Sequence, residues 1–127
     1  MSLLEGPVPG ARRTEVGGLV VDEVPAGASR VKRVIYPPGW AWGDSMAAHV
    51  GTEWCEHAHV GFLVQGSMEV EFRDGCRATH DAPCAVVVEP GHRGRVLGDE
   101  AAVLVQVDAG PGTVERLGLD GVAHAHG

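Results

Sequence analysis

The chain has no asparagine, a single lysine, a single isoleucine and only six aromatic residues in 127. Arginine does not make up for the missing lysine: ten Lys+Arg face 17 Asp+Glu, a formal net charge of −7. The basic residues are scattered as Arg12/Arg13, Lys32/Arg33 and Arg93/Arg95. No run or face supplies the positive footprint that phosphate neutralisation needs, which excludes a nucleic-acid partner. Long apolar runs are missing too. Ala101 to Val105 is among the longest, far short of the ~20 residues of a membrane-spanning helix, so no membrane partner is expected. Cysteine is sparse, three residues at the uneven positions 55, 76 and 84. An odd count does not make a disulfide framework. The opening Met1-Ser2-Leu3-Leu4-Glu5-Gly6-Pro7 shows neither a basic n-region nor an apolar h-region. These features together give the expectation of a cytoplasmic protein with reduced thiols. A phosphate-cradling loop is absent as well: Gly17-Gly18 leads into a strand rather than a helix, so no nucleotide cofactor is expected.

What is present is glycine (19), proline (8) and valine (20), with 44% hydrophobic residues. That is too apolar for a disordered chain, and no strict glycine period marks a collagen. The glycines are therefore read as turns, and many turns in a short valine-rich chain point to β structure. Period-two alternation dominates and helical periodicity is nearly absent. Strands are expected at Leu19 to Val24, Arg30 to Tyr36, His59 to Val64, Ser67 to Phe72, Cys76 to Thr79, Ala85 to Val88, Arg95 to Leu97 and Ala101 to Val107. Ser67 to Phe72 alternates polar and apolar along its whole length, the pattern of a half-buried antiparallel strand. Asp74-Gly75 is the strongest hairpin signal. Short strands at roughly ten-residue spacing are the mark of an all-β sandwich or barrel. The chain reads as one domain over 1–127: an arm at 1–15, a barrel core at 30–108 and a tail at 109–127, with one helical turn expected at Thr113 to Leu117.

The segment Gly51 to Phe62 is richest in chemistry. If it is extended, Glu53, Cys55, His57 and His59 share one parity and face one side. Carboxylate, thiolate and imidazole are all ligands for a first-row divalent metal. A polar strand on the solvent face gives the same pattern, but Leu63 shares the parity of His59, which favours a cavity. His92 completes a four-ligand set of Glu53, Cys55, His59 and His92 if the loop after Pro90 folds over the barrel mouth. Mixed O/S/N ligation suits Zn²⁺ or Fe²⁺ better than Mg²⁺ or Ca²⁺. His57 and His49 are weaker candidates. His80 is placed in a turn, and His124 and His126 in a frayed tail. Trp54 and Phe62 are expected to line a ligand pocket. Trp40 and Trp42 would line it, cap a barrel end or pack a dimer. Cys76 and Cys84 read as small buried hydrophobes.

At these residues the chain resembles the cupins. Their first motif runs Gly, five residues, His-x-His, three or four residues, Glu, six residues, Gly. Anchored on Gly66, the spacing places His59 at the family's Glu, and Glu53 and Cys55 at its two histidines. In the second motif, Pro83 stands for the first Gly, Glu89 for the Pro, and Gly94 and Gly98 for the final His and Asn. His92 lies two places before the missing histidine. Gly-Thr-Glu-x-Cys-x3-His-x-Gly-Phe, followed by Pro-Gly-His and Gly-Asp-Glu, is similar to small single-domain bacterial cupins. The resemblance covers residues 30–108. It implies a double-stranded β-helix (jelly-roll) barrel that binds a small molecule, with a divalent metal (Zn, Fe, Mn or Ni), and a homodimer. An enzyme of this kind would be a metal-dependent oxygenase or isomerase, with Glu53 or His59 as proton carrier if not ligated. The competing readings are a metal-free binding or sensor module and a structural dimer with a filled barrel.

Overall fold

A computed structural model describes residues 4–46, 54–55 and 58–108. Among them are nine strands: β1 (Arg12–Val16), β2 (Leu19–Ala26), β3 (Ser29–Tyr36), β4 (His59–Gln65), β5 (Ser67–Phe72), β6 (Arg77–Asp81), β7 (Cys84–Val88), β8 (His92–Leu97) and β9 (Ala102–Asp108). One four-residue helix, α1 (Trp42–Ser45), lies between β3 and β4. The strands form two antiparallel sheets, β1-β2-β3-β9-β4-β7 and β6-β5-β8. The fold is all-β, with the two sheets sharing one core and not closing into a continuous barrel.

Alternation decides which side chains meet in that core. Met68, Val70 and Phe72 of β5 are buried, while Ser67, Glu69 and Glu71 face out. From the larger sheet come Val34, Leu63, Val86, Val88 and Leu104, which join the β5 residues and Val96 in one cluster. On the outer face of the small sheet, Arg93 pairs with Glu71 at 2.7 Å and Arg95 with Glu69 at 3.1 Å. These pairs explain why β8 begins at His92 rather than at Arg95: cross-strand charges carry strand pairing where the apolar pattern is broken by Gly94.

Two other differences from the sequence reading, beyond shifts of one or two residues at strand ends, have a physical reason. Strand β1 occupies part of the expected arm, because its Arg13 reaches the buried Asp22 at 2.9 Å, where Arg33 also binds at 2.7 Å. An exposed, charged edge strand of this kind carries no hydrophobic signature. Strand β2 runs through Pro25, beyond Glu23, the last partner of β1. There β2 is itself an edge, where proline is tolerated. The hairpin expected at Asp74-Gly75 joins β5 to β6, closed by Gly75 N–H donating to the Phe72 carbonyl at 2.9 Å.

The Gln65-Gly66 corner sends the chain from one sheet to the other. Gly66 has φ +81°, and a Cβ there would lie 2.7 Å from the Ala101 carbonyl oxygen. Both facts demand glycine. Gly61 is fixed by packing alone, since its Cβ would lie 1.9 Å from the Val105 carbonyl oxygen on β9.

Candidate metal centre

Between the two sheets lies a cavity of about 320 Å³. Its walls are largely apolar, and Cys55, His59 and His92 converge on one part of them. Their ligand atoms all lie within 4.8 Å of one another. Three different parts of the fold deliver them. His59 opens β4 with the same inward parity as the buried Leu63. His92 opens β8 and is 5% exposed. Cys55 lies outside the sheets but makes an isolated antiparallel bridge to His92. In that bridge Cys55 N–H donates to the His92 carbonyl at 2.6 Å, and Gly91 N–H donates to the Cys55 carbonyl at 2.8 Å. On the solvent side the Arg93 guanidinium stacks 4.4 Å from the centre of the Trp54 ring. The neighbours of Cys55 and His92 are thus clamped as well.

The hydrogen bonds of the two imidazoles set which nitrogen faces the cluster. His92 Nδ1 lies 2.7 Å from the Glu89 carbonyl oxygen. A carbonyl only accepts, so Nδ1 carries the proton and, in the neutral ring, Nε2 carries the lone pair. His59 Nδ1 lies 2.8 Å from Gln106 Oε1, which assigns its lone pair to Nε2 in the same way. That Nε2 is 3.6 Å from Cys55 Sγ. Acceptors behind ligating histidines are the usual supporting shell of a metal site.

The Cys55–His59 distance fits a shared metal. Bonds of ~2.3 Å to sulfur and ~2.05 Å to nitrogen at a tetrahedral angle place S and N ~3.5 Å apart, against the observed 3.6 Å. The two imidazole rings meet edge to face with centroids 4.9 Å apart, close enough to share an ion. Cys55, His59 and His92 thus form a group able to hold one, with three protein donors among the described residues.

Of the remaining expected ligands, Glu53, His57 and His49 lie outside the described residues, as do His124 and His126. Phe62 does not line the cavity. It is 62% exposed on the outer face of β4, because its parity is opposite to that of His59 and Leu63. Trp54 is also outside the cavity wall, turned to Arg93, whereas Trp40 and Trp42 are 6% exposed and form part of that wall. His80 is in strand rather than a turn. It sits on β6, faces the cavity, and pairs in register with Met68. Burial pushes its pKa below the ordinary imidazole value, with Asp81 opposing the shift.

Three cavity residues were not picked out by sequence reasoning. Gln106 is 6% exposed, and its signal was a lone amide in the otherwise apolar run Ala102 to Val107. Tyr36 is buried, and desolvation, followed by the nearby Cys55, drives its hydroxyl far above the usual range. Lys32 lies beside Gln106 in the β3–β9 register; its signal was being the only lysine in the chain. None of the three cysteines is joined in a disulfide, and among the described residues no helix is long and apolar enough to cross a membrane.

No protein-family model matches the chain, and no curated protein matches it. Solved structures do resemble it. A cupin-2 domain protein from Rhodospirillum rubrum superposes with a TM-score of 0.60 at 16% identity, over 84% of this chain and 74% of its own. A cupin 2 conserved barrel domain protein from Salinispora arenicola gives 0.57 at 20% identity, over 93% and 96%. The Cnp3 cupin domain of Schizosaccharomyces pombe gives 0.56 at 14%, over 87% and 77%. With the two-sheet topology and the inward-facing residues of β4 and β8 already in place, these likenesses show that the chain has the cupin fold.

Proposed function

We propose that this protein binds a small molecule in the cavity between its sheets, around a divalent metal held by Cys55, His59 and His92. One observation carries the reading. Two imidazoles with their Nδ1 protons committed to Gln106 and Glu89 converge with a thiol, all three ligand atoms within 4.8 Å and the Cys55–His59 pair at 3.6 Å. A mixed thiolate–imidazole set suits Zn²⁺ or Fe²⁺ among the metals considered. The described residues supply three protein donors; Glu53, outside them, would close the site as a fourth, and without it a coordination position is left for water or ligand, the arrangement of catalytic rather than structural sites. A cation bound there would supply Lewis acidity to a ligand oxygen. The protein's own part is to fix the donor geometry, to enclose the ligand between Trp40, Trp42 and Met68, and to keep water away from it. The open cavity supports this reading over a barrel filled by its own side chains.

The same reading includes a homodimer. The cross-strand row Val24–Val31–Val107–Val60–Val87 runs over five strands. Val24, Val31, Val107 and Val87 of that row, and Phe62 beside it, are exposed, a surface that a second copy would cover.

The test is elemental analysis of protein purified without an affinity tag, using a variant in which His124 and His126 are alanine. About one equivalent of zinc or iron per chain, lost in Cys55→Ser and His92→Ala, supports the reading. A metal-free protein whose melting temperature ignores added Zn²⁺ and Fe²⁺ leaves the metal-free binding module instead.

A further inference from the structure

Ten basic residues are present in the chain, and among the described ones Lys32 alone lines the cavity. The arginines of β8 point outward to Glu71 and Glu69, and Arg13 and Arg33 are taken by Asp22 on the other face of the large sheet. Lys32 stands opposite Gln106 in the β3–β9 pairing, and Gln106 holds His59. Lys32 and the metal centre thus line one cavity, with Gln106 between them in the sheet. The partner of the Lys32 ammonium is Asp108, at 2.6 Å. The same Asp108 Oδ2 also receives Arg30 at 3.4 Å, and Arg30 in turn contacts Glu23 at 3.7 Å. Asp108 thus divides one oxygen between two cations. The Lys32 side chain is 19% exposed, and its ammonium has three N–H donors, so donors beyond the one that meets Asp108 can serve a further partner.

Charge counting gives the class of that partner. A divalent cation held by one thiolate and two neutral imidazoles, the donors among the described residues, would leave the centre at +1. Lys32 and Asp108 together add nothing, and no other described cavity group carries a fixed negative charge. With that cation the pocket would be positive at this part, and it is apolar over the rest of its wall.

We propose that Lys32 anchors the carboxylate of a small organic acid whose apolar body lies against Trp40, Trp42 and Met68. The proposal rests on the metal-centre reading for the net charge of the pocket but assigns the anion to the lysine. The acid is held by a charge-assisted hydrogen bond at one end and by burial of its carbon skeleton at the other.

The experiment compares phenylacetate with its neutral isostere phenylacetamide, by calorimetry on zinc-loaded wild type, Lys32→Met, Lys32→Arg and Asp108→Asn. Wild type is expected to prefer the carboxylate by about tenfold or more, the worth of a hydrogen bond to a charged group. Lys32→Met should lose that preference at unchanged zinc content, and Lys32→Arg should keep it. Asp108→Asn should increase it, since the ammonium loses its competing partner. Either Lys32→Met keeping the full preference, or wild type binding neither probe at millimolar concentration, overturns the proposal. If wild type holds no zinc, the metal reading fails by itself, and the same comparison in metal-free protein still decides the role of Lys32. Should Lys32→Met not fold, Asp108→Asn binding phenylacetate no more tightly than wild type overturns it.

Discussion

Replacing Gln106 tests whether the polar contact behind His59 serves the centre or only fills space. The amide is 6% exposed, lies on β9 opposite Gly61 of β4 and Lys32 of β3, and accepts from His59 Nδ1 at 2.8 Å. Leucine has nearly the same volume and no acceptor. Gln106→Leu leaves the imidazole N–H without this partner and lets the ring turn away from Cys55. Losing such an outer-shell acceptor weakens metal binding by about 10- to 100-fold, or about 1.4–2.8 kcal/mol. Gln106→Glu supplies a stronger acceptor and should bind at least as tightly as wild type. Zinc affinity is read by competition with a chromophoric chelator, with far-ultraviolet circular dichroism confirming that each variant is folded. The order Glu ≥ Gln > Leu is expected. Folded Gln106→Leu protein with wild-type zinc affinity would refute the supporting role of Gln106.

Other substitutions probe the frame around the site. Gly61→Ala puts a methyl 1.9 Å from the Val105 carbonyl oxygen and forces β4 from β9; it should cost at least ~3 kcal/mol by thermal or urea unfolding. Gly98→Ala meets nothing within 4 Å and carries only its φ of +76°, so ~1–2 kcal/mol is expected. Asp22→Asn leaves two guanidinium groups around a neutral side chain and should cost ~3 kcal/mol; an unchanged melting temperature would show the cluster to be ornamental. His80 has a folded pKa below its unfolded value. Its neutral form therefore favours the fold above the unfolded value of ~6.5, and that contribution is lost as pH falls toward the folded pKa. His80→Gln should flatten the stability profile between pH 7.5 and 5, and an unaltered slope in denaturant titrations would contradict this.

The parts of the fold that could be read from the residues are those where one face is wet and the other dry. Ser67 to Phe72 was legible for this reason, and its observed limits coincide with the alternation. Strand β1 was not, because ion pairs to Asp22 hold it rather than apolar contacts. Within the site, parity alone placed Cys55 and His59 on one side, and the displaced second motif pointed to His92. On β8, His92 and Gly94 share a face, so a two-residue shift keeps the imidazole inward. Phe62 was misjudged by chemical type: an aromatic beside a ligand motif suggests a pocket, yet its parity sends it to solvent. Gln106 lies 47 residues from His59, and a contact at that separation leaves no local pattern.

The most direct measurement of the central claim is X-ray absorption at the metal edge of tag-free protein lacking the two tail histidines. The account predicts one sulfur at ~2.3 Å and two or more nitrogen or oxygen donors at ~2.0–2.1 Å, with the sulfur shell lost in Cys55→Ser. A stoichiometric metal with only nitrogen and oxygen neighbours in the wild type would contradict it.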